Sequence, residues 1–130
     1  MATIKKFEEL EVWKSARKLN LELSPHLTHF QERKQFELCK QIDRSAGSIM
    51  DNIAEGFERD GNREFIHFLA IAKASSAEFR SQLYRALDRQ LISEENFEKL
   101  SGDSKQIAAG IATFMRYLNN SEFKGNKFKK

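Results

Sequence analysis

The residue types that carry out chemistry are present in this chain, but seldom at a productive spacing. Glu64-x-x-His67 is the nearest approach to the Glu-x-x-His pair of di-iron bundles. It occurs once, whereas such a site needs the pair twice and two further inward carboxylates, so Glu64 reads as first-turn charge and His67 as a surface residue. His26-x-x-His29 and Cys39 offer three metal-ligand types. The histidines lie beside Pro25, however, and a lone cysteine on an apolar helix face is ordinarily a small core residue. Ser45 and Ser48 have no evident base, so local packing and hydrogen bonding is the expected role of their hydroxyls. There is no glycine-rich phosphate loop and no Cys-x-x-Cys. The expectation is a non-enzymatic protein with no catalytic residue, no metal and no cofactor.

Basic side chains are the stronger candidates. Lys40 and Arg44 are four residues apart, as are Arg85 and Arg89, while Lys73 and Arg80 lie two turns apart on one helical face. Lys14, Arg17 and Lys18 form a further cluster. Glu37 and Asp88 are within pairing reach of Lys40 and Arg85. Bulk charge decides little: the net +3 resides in residues 121–130, where Lys124, Lys127, Lys129 and Lys130 face only Glu122. The rest of the chain carries equal numbers of basic and acidic groups. A nucleic-acid surface therefore requires sorting of charge onto faces, or the tail.

Such residues need helices to position them. A single proline and 32% charged residues describe a soluble helical chain, and 130 residues suffice for one domain with a core. No apolar run approaches the roughly 20 residues of a membrane span, no signal peptide is visible, and one cysteine forms no internal disulfide. These features predict a cytoplasmic protein with no membrane partner. A first helix over about residues 8–30 buries Val12, Ala16, Leu19, Leu23, Leu27 and Phe30, with Leu10 and Leu21 off that stripe. Pro25 predicts a kink or, alternatively, two shorter helices. A second, over about residues 33–59, presents Phe36, Leu38, Cys39, Ile42, Ala46, Ile49, Met50, Ile53, Ala54 and Phe57.

Asn62 is the expected N-cap of a third helix reaching about Gln90, with a stripe from Phe65 to Gln90 and a second apolar set, Ile66, Ala70, Ala77 and Tyr84. Ser93 caps a fourth helix that continues to about Asn119. Short connections make an all-α, antiparallel up-down-up-down four-helix bundle over residues 1–120, followed by a mobile lysine-rich tail over 121–130.

Within the second helix, Ser45, Gly47, Ser48, Asn52 and Gly56 break an otherwise strong helical pattern. Glycine costs about 1 kcal/mol against alanine in a helix. Small residues let another helix approach closely, and Asn52 near the core edge needs a hydrogen-bond partner.

Gln41-x-x-Arg44-Ser45-x-x-Ser48-Ile49-x-x-Asn52-Ile-Ala-Glu55-Gly56 resembles the hallmark of a bacterial family of four-helix-bundle proteins. They were first recognised as reading frames within intervening sequences of 23S ribosomal RNA genes. The opening Phe7-Glu-Glu-Leu-Glu-Val-Trp13 and the segment Phe68-Leu-Ala-Ile-Ala-Lys73-Ala-Ser75-x-Ala-Glu78 resemble the same family, in the right order over about residues 7–118. Ala74 stands where the family commonly has glycine. The resemblance implies homopentameric rings with a central channel. It also implies a relative that works with reverse transcriptase and its RNA, the accessory variability determinant of diversity-generating retroelements. RNA, DNA, a reverse transcriptase or another protein are the partners it suggests. The motif residues Gln41, Arg44, Ser45, Ser48, Asn52, Glu55 and Gly56 are expected to be structural. Lys40, Arg44, Lys73, Arg80, Arg85 and Arg89 are the candidate contacts to phosphate, together with the lysine tail.

Overall fold

The structure, a computed structural model, describes residues 3–121; the lysine tail therefore lies outside the described residues. A 3-10 turn, Phe7–Glu9, leads into α1 (Glu11–Glu32), α2 (Phe36–Phe57), α3 (Asn62–Asp88) and α4 (Glu94–Asn119). α1 and α3 each pack on α2 and α4, so the helices stand at the corners of a bundle. Bonds between them run in opposite sense. Asn20 reaches Ala46 and Cys39 reaches Leu27 between α1 and α2. Ser45 meets Gln82 and Ser48 meets Ser75 between α2 and α3. Asn62 reaches Leu118 and Ser76 meets Ser104 between α3 and α4. In every pair the second residue number falls as the first rises.

The apolar stripes fill the centre. Leu19, Leu23, Phe30, Ile42, Ile49, Ile53, Leu69, Phe79, Leu83 and Ile111 are all buried. Pro25 sits inside α1 without dividing it, so the two-helix alternative does not hold. Four expectations are corrected at the helix ends. Leu10, expected off the stripe, is buried as the residue that opens α1. Phe36 is 62% exposed: in the first turn of α2 it is Leu38 and Cys39 that face the core, and Phe36 lies on the outer side with Lys40. Gln90 is exposed and lies past the end of α3 in a left-handed conformation, φ 59°. Asn62 is not a cap: Gly61, φ 85°, precedes α3, and the buried Asn62 amide donates to the Leu118 carbonyl at 3.0 Å. That bond satisfies one of the end carbonyls that α4 cannot bond internally. Ser93 does cap α4, accepting from the Asn96 N–H at 3.1 Å.

Both α1 and α3 end in the same chain reversal. After α1, Lys34 N–H bonds the Gln31 carbonyl and Gln35 N–H bonds that of Phe30; after α3, Gln90 bonds Leu87 and Leu91 bonds Ala86. This is the Schellman arrangement, which favours glycine at its left-handed position. Here Lys34 and Gln90 occupy it, and buried Leu91 and Ile92 then anchor the last connection to the core.

Two glycines of α2 differ in surroundings. A Cβ on Gly56 would stand 2.7 Å from the Phe68 Cβ and 2.8 Å from the Phe65 ring, whereas one on Gly47 would meet nothing within 4 Å. Close approach of α2 to α3 therefore requires Gly56. Gly56→Ala is expected to lower stability by about 1–3 kcal/mol through overpacking. Gly47→Ala should raise it by about 0.5–1 kcal/mol through helix propensity. Urea denaturation of both variants checks this, and a Gly47→Ala protein that melts more readily would contradict it.

Candidate nucleic-acid interface

Residues 41, 45, 48, 52 and 56 recur at three- and four-residue steps, so they occupy one face of α2. That face meets α3. Arg85 Nη1 donates to Gln41 Oε1 at 2.8 Å, and the buried Ser45 hydroxyl donates to Gln82 Oε1 at 2.7 Å. Ser48 and Ser75 join through their hydroxyls at 2.8 Å. Asn52 Nδ2 donates to both the carbonyl and the hydroxyl oxygen of Ser48, each at 2.9 Å. With that oxygen accepting from Asn52, the Ser48 hydroxyl is free to donate to Ser75. Gly56 completes the series by close contact with Phe65 and Phe68. Glu55 lies outside it, paired with Arg59 at 2.8 Å on the surface.

Between α3 and α4 a second polar contact forms. Ser76 and Ser104 are fully buried, and each hydroxyl also bonds the other residue's carbonyl, at 2.9 and 3.2 Å. Arg80 Nη1 donates to Ser76 Oγ at 2.9 Å, which lays its guanidinium along the α3–α4 groove. No buried side-chain nitrogen or oxygen lacks a partner among the described residues.

Four of the candidate cations divide between these two seams. Arg85 and Arg89 lean on α2, the latter donating to Gln35 Oε1 at 2.9 Å. Lys73 shares the α4 side of α3 with Arg80. Lys40 and Arg44 are exposed on α2, and Arg44 lines a shallow depression with Asp43, Gly47, Ser48, Asp51 and Asn52. These six side chains therefore do not form one patch on a protomer. None of them has a carboxylate within ion-pair distance among the described residues. The suggested pairs are not made: Glu37 accepts from Gln41 at 3.4 Å, and Arg85 prefers Gln41 to Asp88.

The metal-ligand candidates have other roles. Cys39 is buried, donates to the Leu27 carbonyl at 3.4 Å, and has its thiol pushed up by burial and by Asp43. Burial, with His29 nearby, holds His26 below its ordinary 6.5. No group of three or more His, Cys, Asp or Glu is placed to hold an ion among the described residues. No described helix is long and apolar enough to cross a membrane.

The family model described as 23S rRNA-intervening sequence protein matches residues 8–113. The chain belongs to this family. A solved structure from Bacteroides thetaiotaomicron VPI-5482 agrees: a protein with unknown function from the S23 ribosomal protein family, 25% identical, with a TM-score of 0.77. The match covers 81% of this chain and 98% of that one. No match was found among curated proteins.

In this member of the intervening-sequence family, Gln41, Ser45, Ser48 and Gly56 of the motif meet α3, Asn52 bonds Ser48 within α2, and Arg44 and Glu55 are exposed. Some participants carry no distinct signal in the sequence. Gln82 and Ser104 are buried, yet each is of a type common on surfaces; only their spacing on the core sides of α3 and α4 could have marked them, whereas Ser76 falls within the core stripe of α3 and Ser75 within the segment that carries the resemblance. Arg33, Lys34 and Gln35, within the span expected for the second helix, form the connection between α1 and α2 instead.

Replacing Asn52 by leucine removes both donors to Ser48. Asn52→Leu is expected to cost about 1 kcal/mol, and the companion Asn52→Asp, which keeps the shape but not the donor, should cost at least as much. Thermal unfolding reads both, and an unchanged midpoint in each would contradict this role.

Proposed function

We propose that the protein is a non-enzymatic homo-oligomer that binds RNA or DNA through basic side chains. The observation that carries this reading is the state of the cations. Arg85 and Arg89 are held in place by neutral amide oxygens of Gln41 and Gln35, and Arg80 by serine hydroxyls. Such partners fix geometry without cancelling charge. A surface built for stability alone would more commonly pair them with carboxylates, although exposed pairs are worth little. An arginine fixed in advance loses less side-chain entropy when it meets a phosphate.

Assembly completes the proposal. A single protomer presents its cations as separate sets, and a pentamer, as the resemblance implies, would repeat each set five times around an axis. Repetition turns a modest patch into a multivalent polyanion site. In this reading the protein works in the cytoplasm, with a reverse transcriptase or another protein as a further partner. Membership of a family named for 23S rRNA intervening sequences, and the S23 ribosomal family of the solved neighbour, support an RNA connection. One observation favours a second reading, a protein-interaction scaffold without nucleic-acid contact: Ala70, Ala77 and Tyr84 leave an apolar strip exposed along α3.

The test is binding of nuclease-treated protein to labelled RNA and duplex DNA over a salt series, with mass by light scattering in the same buffers. Affinity should fall linearly on a log–log plot, with a slope of about −0.9 per neutralised duplex phosphate. Arg85→Glu with Arg89→Glu should flatten that slope and weaken binding at least tenfold without changing the mass. Absence of binding at low salt would overturn the proposal in favour of the scaffold.

A further inference from the structure

Phe36 is the most exposed aromatic ring described on a helix of this bundle, at 62%, and it lies where basic residues are concentrated. It opens α2 directly after the connection Arg33-Lys34-Gln35. Gln35 holds Arg89 at 2.9 Å, and Lys40 lies one turn beyond Phe36 on the same side of α2. Arg85 follows one turn back along α3, about 6 Å away by helical rise, a spacing on the scale of successive phosphates in a strand. Gln35 bonds Arg89 and makes no side-chain cap bond to the first turn of α2. The carboxylates in or next to these segments are Glu32, Glu37, Asp43 and Asp88, of which Glu37 is engaged by Gln41. None of Lys40, Arg85 and Arg89 is in an ion pair with them.

The geometry points to a single-stranded nucleic-acid subsite at this end of the bundle, in which an unpaired base stacks on Phe36 while Arg89, Arg85 and Lys40 contact the flanking phosphates. This rests on the nucleic-acid reading above and deepens it. The Phe36 ring presents an open π-face, and the adjoining segments supply Arg33, Lys34, Lys40, Arg85 and Arg89. A base supplies an apolar π-face joined to an anion, which matches both halves of the site. A duplex hides its faces within the stack, so the ring discriminates by strandedness, whereas the arginines and lysine contact any polyanion. Recognition by stacking tolerates any base, so little sequence preference is expected.

The experiment compares a labelled single-stranded RNA of about a dozen nucleotides with the same sequence as a duplex, each titrated with the full-length protein. Variants are Phe36→Ala, Phe36→Leu and Phe36→Tyr, with mass and melting temperature recorded for each. Alanine and leucine should weaken single-strand binding by about 5- to 100-fold, with duplex affinity unchanged, and tyrosine should restore it. Equal losses on both strands, or a leucine variant that binds like the wild type, would overturn the stacking role. So would a fall in oligomer mass, which would place Phe36 against another copy of the chain. If duplex and single strand both bind but ignore Phe36, this subsite fails and the broader reading stands. If neither binds, both fail.

Discussion

The structure depends on the seam between α2 and α3. At one end, Gly56 lets the α2 backbone sit against Phe65 and Phe68 with no room for a methyl group. Along the rest of it, Ser45 and Gln82 bond to each other, as do Ser48 and Ser75. The apolar core supplies the larger share of the free energy, since burial scales with area. Area alone is nearly indifferent to a slide of one helical turn. The seam is not: such a slide would drive Gly56 out of its cleft and leave buried hydroxyls and amides unpaired, at about 1–3 kcal/mol for each. Small and polar residues thus specify register where leucines would specify only contact.

That register has consequences for the surface. Gln41 belongs to the seam motif, and its carbonyl holds Arg85. One turn further out, Gln35 does the same for Arg89. The Ser76–Ser104 contact plays the equivalent part for Arg80 on the other flank of α3. In each case a packing element ends in an arginine fixed by an uncharged partner. The link from motif to proposed function is therefore indirect: the motif aligns two helices, and the alignment places cations on amides.

Much of the architecture was legible in the chain because helical periodicity is a strong signal. Stripes for the first three helices and the Ser93 cap of the fourth could be read directly. The small residues of α2 stood out too, since glycine and serine inside a strong helix need a reason. The ends of helices were not. Phe36 and Gln90 continue an apolar or amphipathic pattern, yet the chain reverses there through Lys34 and Gln90 in conformations that glycine usually supplies. Without glycine as a marker, the boundary is invisible to periodicity. Asn62 sits where a cap would sit, but Gly61 takes the turn and frees the asparagine to bridge to α4. Partners across helices, such as Gln82 for Ser45, depend on register and cannot be read from one helix.

The most direct test of the seam's importance is a double-mutant cycle on Ser45 and Gln82, measured by urea denaturation. Ser45→Ala alone leaves the buried Gln82 amide oxygen without its partner, and Gln82→Leu alone leaves the Ser45 hydroxyl only its 3.2 Å bond to the Ile42 carbonyl. Each should cost about 1–3 kcal/mol, and the double variant should cost less than the sum by about 1 kcal/mol or more. Costs that add within about 0.5 kcal/mol would contradict the account, since the two side chains would then contribute independently and the seam would set no register.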